Sequence, residues 1–492
     1  MVHVDGSTSL RNVVVGGLVR WVLAAGPRAS RRRLRSVDEG LGAEAKRAKA
    51  RGERIRLGVS TSLMSKVVSL GVQVIALPVA VRALGSERYG VYLVLAALLG
   101  WIGLAGVGIN PSVALGIAEA AARSDRRREK RIVATAMVLM SGIALIACTA
   151  VVLVALFMPG TWLFGQKYGA FAADLARGLV VGGVCLAGSL VVAVVEAAQL
   201  GYQELFLTNI WRMLGNGGSL ASLLIVAWLR PSVLGLIISV YGVPMMARAA
   251  NLLWFLRVRR PYLWPRLREY DREVVSGLFG TGLAFLAIGL SSFCNHELIL
   301  FVTGRMVGPQ RVASLGVMLQ ILLLLGSALA MYGQPLWAAL ADAGSVGDVS
   351  WTQRSYRQAL GWPMIFAGLC GLVIAVGGHA AVGLWFGPEV TPNRPMQIGM
   401  GLYFVAASWE SLHCMFLLGL QRVWQAAGVL AVKSAVVVAL TSLLVPRVGA
   451  SGAAGALLAS SLLVGVWMFP LLVRGRIREL AGGAGQNGTC EV

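Results

Sequence analysis

Twelve apolar runs, each long enough to cross a lipid bilayer as a helix, constrain this chain more than any other feature. A spanning helix takes about 20 residues. The runs lie at roughly 58–82, 89–118, 132–157, 177–200, 207–229, 233–256, 274–303, 312–338, 359–380, 396–419, 425–446 and 450–473. In hydrocarbon a backbone must satisfy its own polar groups, which leaves helices or a closed barrel. The runs lack the short alternation of barrel strands. The expected fold is an all-α membrane protein of about twelve transmembrane helices. Hydrophobic residues make up 57% of the chain and charged ones 13%. Soluble domains run at about 45–50% and about 25%, so a soluble enzyme and a disordered chain are both excluded.

The net charge of +22 sits between the apolar runs, so it reads as a topology signal and not as a nucleic-acid surface. With the amino terminus cytoplasmic, the cytoplasmic segments hold 32 of the 44 Lys and Arg and the opposite segments nine. Both termini are then expected inside, in a bacterial cytoplasmic (inner) membrane. The polar, basic segment 1–57 contains the short apolar stretch Leu10–Ala25. Two readings stay open for it: an interfacial anchor over anionic lipid, or a leader without function. Five cysteines (Cys148, Cys185, Cys294, Cys370, Cys414) fall in apolar runs and Cys490 in the tail. Neither a disulfide framework nor metal-ligand spacing follows from them.

An internal repeat organises the rest. Arg82-x-x-Gly85-x-x-Arg88 reads like Arg305-x-x-Gly308-x-x-Arg311. Asn110-Pro111, followed by Glu119 and Asp125, matches Gln334-Pro335, followed by Asp342 and Asp348. Leu163-Phe164-Gly165 matches Trp385-Phe386-Gly387, and Gly201-Tyr202-Gln203 matches Gly419-Leu420-Gln421. The expected organisation is a basic extension (1–57), a first six-helix bundle (58–256), a basic cytoplasmic linker (257–272), a second six-helix bundle (273–474) and a tail (475–492). Six is even, so the repeats share one orientation, and two such bundles around a central cavity suit a secondary transporter. The chain has neither a phosphate-binding loop nor a long loop for catalytic groups, so no enzyme, catalytic residue or metal site is expected.

Charges inside lipid are costly and face a cavity or a partner. Those candidates are Lys66, Glu119, Glu196, Arg248, Glu297, Glu410 and Lys433. Lys66, Glu119, Glu196 and Arg248 fall in the cytoplasmic thirds of their helices, as an inward vestibule or as snorkelling and loop residues. Glu410 and Lys433 lie at equal depth on consecutive helices, as a buried ion pair would. With His413 one turn on, they alternatively form a proton-coupling cluster. Asn295-His296-Glu297 is either a cation or proton site or a hydrogen-bonded polar spot. Pro78, Pro111, Pro244 and Pro335 permit bending.

The sequence Arg82-Ala-Leu-Gly85-Ser-Glu-Arg-Tyr89-Gly90-Val-Tyr92, a glycine-rich second run, then Ala118-Glu119-Ala120 before a basic loop, resembles a known family. It is similar to oligosaccharide flippases of the polysaccharide biosynthesis (Wzx-like) family, in the multidrug/oligosaccharidyl-lipid/polysaccharide exporter superfamily. Gly201-Tyr202-Gln203, Asn295–Glu297 and Val448-Gly449-Ala450-Ser451-Gly452 also fit, and the resemblance covers roughly 57–475. It implies alternating-access flipping of a polyprenyl-pyrophosphate-linked oligosaccharide for O-antigen, capsule or exopolysaccharide assembly. Glycan polymerase and glycosyltransferases are the implied partners, beside membrane lipids. No organic cofactor is implied, only a coupling proton or sodium ion. Lys66 and Arg248 would meet phosphate, and Asn110, Glu119, Asn295, His296 and Glu297 would line the cavity. Three embedded cations stand against four carboxylates, so two alternatives stay open: a cation-coupled multidrug exporter of the same superfamily, or a non-transporting scaffold of a glycan-assembly complex.

Overall fold

The computed structural model describes the backbone of residues 27–158, 160–346 and 349–487, and side chains within 61–480 apart from 63, 159, 277–282, 284–285, 331–339 and 341–349. All regular structure among the described residues is helical. The described residues divide into two compact units, with the boundary between Thr61 and Ser62. The first is helical from Pro27. The expected anchor at Leu10–Ala25 and Cys490 lie outside the described residues.

Among the described residues, the second unit carries eleven helices long and apolar enough to cross a membrane. They are α1 (Met64–Ala122), α2 (Arg126–Phe157), α3 (Gln166–Gly201), α4 (Leu205–Leu229), α5 (Val233–Arg259), α6 (Leu286–Val307), α7 (Pro309–Ala330), α8 (Ser350–Phe386), α9 (Arg394–Gly419), α10 (Val423–Val448) and α11 (Ala450–Leu480). The first holds two of the twelve apolar runs, because α1 breaks at Gly85 (φ 74°, ψ 168°) into two limbs. Six spans therefore precede the linker and six follow it. Helix α6 is preceded by helical residues from Arg272, and α7 and α11 continue to Val346 and Asn487. The segment expected as a tail thus begins as helix. Large apolar side chains point outward, with Trp228, Leu384 and Phe157 exposed at 84%, 82% and 77%. Exposure on that scale suits lipid contact and would be a liability in water.

The repeat recurs in the backbone. Gly85 and Gly308 (φ 93°, ψ 171°) break their helices inside the two Arg-x-x-Gly-x-x-Arg motifs. Gly165 (φ 99°, ψ 160°) and Gly387 (φ 111°, ψ 161°) do so inside the two Phe-Gly matches. All four occupy a region of positive φ and near-extended ψ that only glycine enters cheaply. Gln203 and Gln421 are also paired, both left-handed at φ 59° and 60°. Each ends its helix with the same two bonds. Gln203 N–H donates to Leu200 O and Glu204 N–H to Gln199 O; Gln421 N–H donates to Leu418 O and Arg422 N–H to Leu417 O. These close the last turn in a Schellman pattern. The side chains of Gln334, Pro335, Asp342 and Asp348, which complete the remaining match, lie outside the described residues.

A further correspondence has no sequence motif. A π-helical turn interrupts α5 at Ile238–Gly242 and α11 at Ser461–Gly465, with the same 223-residue offset as Gly85 and Gly308.

At the end of the bundle that carries the glycine breaks, the halves are joined. The Arg82 guanidinium donates to Leu384 O at 2.8 Å, and Ser86 N–H donates to the Glu389 carboxylate at 3.2 Å. Lys167 donates to Met306 O at 2.8 Å, and the buried Tyr168 hydroxyl donates to Gly304 O at 3.0 Å.

Candidate functional site

A chamber of about 670 Å³ opens among α6, α7 and α9. Its size falls in the usual range for small-molecule sites, about 300–1,000 Å³. Ser292, Asn295 and His296 reach it from α6, Ser327 from α7, and Tyr403, Ser408 and Ser411 from α9. Leucines of α7 with Phe404, Leu412 and Met415 of α9 supply an apolar wall. Among the described residues lining it, none is Asp, Glu, Lys or Arg.

Asn295 and His296 come from a π-helical turn of α6, Cys294–Leu298. The extra residue in such a turn re-aims the side chains that follow. Asn295 donates to Ser291 O at 2.8 Å and, at 3.4 Å, to the Ser434 hydroxyl. Its carbonyl oxygen and the Nε2 of His296 are buried without a partner. Glu297 points elsewhere. A β-carbon on Gly100 would lie 3.2 Å from its Cγ, so α1 passes directly against it. Tyr92 of α1 and Tyr241 of the α5 π turn stand within its electrostatic reach. Among the described residues Glu297 has no ion pair. The three consecutive candidates therefore serve two places: Asn295 and His296 the chamber, Glu297 the seam between halves.

Of the other embedded charges, Glu119, Glu196, Arg248, Glu410 and Lys433 are paired. Glu196 accepts from Arg248 Nε at 2.6 Å and from Arg212 at 2.8 Å. Beside it Gln199, Asn251 and Thr208 close a buried network, with Asn251 accepting from Gln199 at 2.8 Å and Gln199 from Thr208 at 2.7 Å. Arg248 is thus held by a carboxylate and does not snorkel. Glu410 and Lys433 form a buried ion pair, with Lys433 5.6 Å above the Tyr403 ring that lines the chamber. His413 is not joined to that pair. Its Nδ1 bonds Trp409 O at 2.7 Å and its Nε2 bonds the Tyr356 hydroxyl at 2.9 Å. Lys66 is half-buried on α1 and does not line the chamber. Asn110, also on α1, keeps a buried carbonyl oxygen without a partner. Glu119 pairs with Arg128 at 3.2 Å beside a pocket of about 400 Å³ that Arg131 and Asp271 also line.

Sequence reasoning passed over the serines and Tyr403 of the chamber, because a search for embedded charge does not register hydroxyls. It also passed over the fastening of the linker. Glu129 accepts from Tyr262 at 2.5 Å and from Tyr202 at 2.8 Å, while the buried Glu204 accepts from Arg259 and Arg260. Burial, reinforced by the Glu129 carboxylate, pushes the Tyr202 hydroxyl well above its ordinary value.

No family model matches the sequence, and no curated protein does. Solved structures do match. An inward-facing multidrug resistance MATE family transporter of the MOP superfamily superposes with a TM-score of 0.71 at 15% identity, covering 87% of this chain and 99% of that one. An outward-facing MATE family transporter gives 0.61 at 14% identity, covering 87% and 97%. A MOP superfamily transporter from Pyrococcus furiosus, whose binding pocket is described as of reverse polarity, gives 0.62 at 14%, covering 87% and 94%. The chain is a multi-pass integral membrane protein with the fold of these transporters.

Proposed function

We propose that the protein exports amphipathic small molecules by alternating access, with the chamber among α6, α7 and α9 as the binding site. The observation that carries this reading is a drug-sized, mainly apolar chamber with a set of uncharged polar groups, inside a fold shared with multidrug transporters. The joined end with the glycine breaks makes the present conformation closed there, in keeping with the better superposition on an inward-facing relative. On that reading the linker face is cytoplasmic, both termini lie inside, and the membrane is the cytoplasmic one, as the basic residues favour. Glu297, the described embedded carboxylate without an ion pair, is the group to which a coupling proton or sodium ion binds.

The second reading is flipping of a polyprenyl-pyrophosphate-linked oligosaccharide. Serine hydroxyls and the Asn295 amide suit sugars, while the described wall offers the diphosphate no cation.

Proteoliposomes separate the two. An imposed proton or sodium gradient should drive amphipathic dye across the membrane, and Glu297→Gln should abolish the gradient dependence. Movement of a fluorescent polyprenyl-diphosphate oligosaccharide without dye transport would replace the first reading by the second. Movement of neither would leave both without support.

A further inference from the structure

We propose that the ligand of this chamber presents an uncharged, hydroxyl-bearing head on an apolar body, a neutral glycoside-like amphiphile and neither an organic cation nor a phosphate ester. The inference rests on the chamber's being the binding site of the exporter reading and specifies what that site accepts. Burying a charge without a counter-charge costs far more than burying a hydroxyl that finds a hydrogen bond. The described wall has no carboxylate for an ammonium and no Lys or Arg for a phosphate. On the same helices, segments 277–285 and 331–339 contain no Asp, Glu, Lys or Arg either, and Asp342 lies twelve residues, about 18 Å of helix, beyond the last α7 lining residue, Ala330. Glu410 and Lys433, beside the lining residues Ser411 and Tyr403, are spent on each other, and Glu297 is turned away against Gly100 of α1.

Neutral hydrogen-bonding capacity is nevertheless left over. Ser292 and Ser411 are exposed on the chamber wall and make no hydrogen bond among the described residues. The Asn295 carbonyl and His296 Nε2 are likewise unpartnered. In the first half, Asn110 also keeps an unpartnered carbonyl oxygen, but most polar side chains there pair with one another. Asn216 donates to Ser69, Ser222 bonds Ser239, and Gln199, Asn251 and Thr208 close on themselves. Free donors and acceptors without charge, opposite a wall of leucine, phenylalanine and methionine, match a hydroxylated head joined to an apolar chain.

Three fluorescent probes with one common alkyl tail test this: a glucoside, a quaternary ammonium and a phosphate monoester. They are titrated by anisotropy against the full chain in nanodiscs. The glucoside should bind saturably and at least about tenfold more tightly than either charged probe. Ser292→Ala with Ser411→Ala should weaken the glucoside about tenfold and leave the charged probes unchanged. Ser411→Asp should turn the preference toward the ammonium, which keeps the test valid if the double variant is poorly folded. Equal or tighter binding of either charged probe to the natural chain, or no saturable binding of the glucoside, overturns the proposal. Dye export in proteoliposomes is scored separately. Export with no glucoside preference removes this inference alone, and glucoside binding with no export removes the exporter reading alone.

Discussion

Gly90 of α1 lies so close to the backbone of Pro309 at the start of α7 that a β-carbon on Gly90 would overlap the Pro309 carbonyl oxygen. The two residues follow the matching helix breaks at Gly85 and Gly308, so the contact is made where corresponding helices of the two halves meet. Nearby, a β-carbon on Gly304 would lie 3.0 Å from the Tyr168 hydroxyl.

This contact predicts a conformational bias. Gly90→Val cannot be accommodated while the joined end stays closed, because the obstacle is backbone and cannot rotate away. Overpacking costs about 1–3 kcal/mol, which shifts the closed-to-open ratio roughly 5- to 150-fold. Spin labels at the exposed Glu87 and Asn393, in a background without the native cysteines, should move apart in the variant. An unchanged distance distribution would mean that this contact does not hold the end shut.

The Glu410–Lys433 pair predicts a non-additive mutant series. Removing either partner leaves an uncompensated charge in the interior, at about 3–5 kcal/mol. Glu410→Gln and Lys433→Met should each reduce folded protein, whereas the double variant should regain most of it. Charge reversal is a poorer test here. The carboxylate of Glu410 rests against Gly465 in the α11 π turn, where a longer side chain has no room. Detergent-solubilised yield and melting temperature report the outcome, and additive losses would show that the two residues stabilise the fold independently.

The repeats place a carboxylate–arginine contact at corresponding helix ends with the charges exchanged. Glu204 follows Gln203 and is buried, held by Arg259 and Arg260; Arg422 follows Gln421 and meets the half-exposed Glu479 at 2.5 Å. Loss of hydrogen bonds to a buried charge costs about 1.5–3 kcal/mol, and a surface pair is worth about 0–1 kcal/mol. Glu204→Ala should therefore lower the melting temperature clearly and Arg422→Ala hardly at all. Equal effects would refute the assignment by burial.

What the sequence made legible followed from residue identity. Gly85, Gly165, Gly308 and Gly387 occupy backbone angles unfavourable to other residues, so their recurrence in short motifs marks the helix breaks in the sequence itself. Membrane-depth charge found Glu196, Glu410 and Lys433, and equal depth paired the last two. Three features were silent for physical reasons. The π turns at Ile238–Gly242, Cys294–Leu298 and Ser461–Gly465 depend on one extra backbone residue per turn, which no side chain announces. The division of Asn295 and His296 from Glu297 follows from the turn that contains them. The partners of His413, Trp409 and Tyr356, are aromatic residues that a search for charge ignores.

The linker predicts a clamp with a defined pH response. Tyr262 donates to Glu129, Asp271 N–H donates to Thr135 Oγ1 at 3.0 Å, and Arg131 meets the Asp271 carboxylate at 2.9 Å. These bonds fasten residues 262–271 to α2. The Glu273 backbone N–H first, and then Arg131, hold the Asp271 carboxyl below its ordinary value. A depressed carboxylate adds stability above its ordinary pKa, about 3.9, and loses it as pH falls through the depressed value. Amide exchange in 262–271, corrected for its intrinsic pH dependence, should therefore stay slow from neutrality down to about pH 4 and quicken only below it. Tyr262→Phe removes one donor to a buried carboxylate, worth about 1.5–3 kcal/mol, and should speed exchange across the segment at neutral pH. Asp271→Asn should leave exchange insensitive to acid in the same range. Fast exchange of the natural linker at pH 7 would mean that the segment is not clamped to α2.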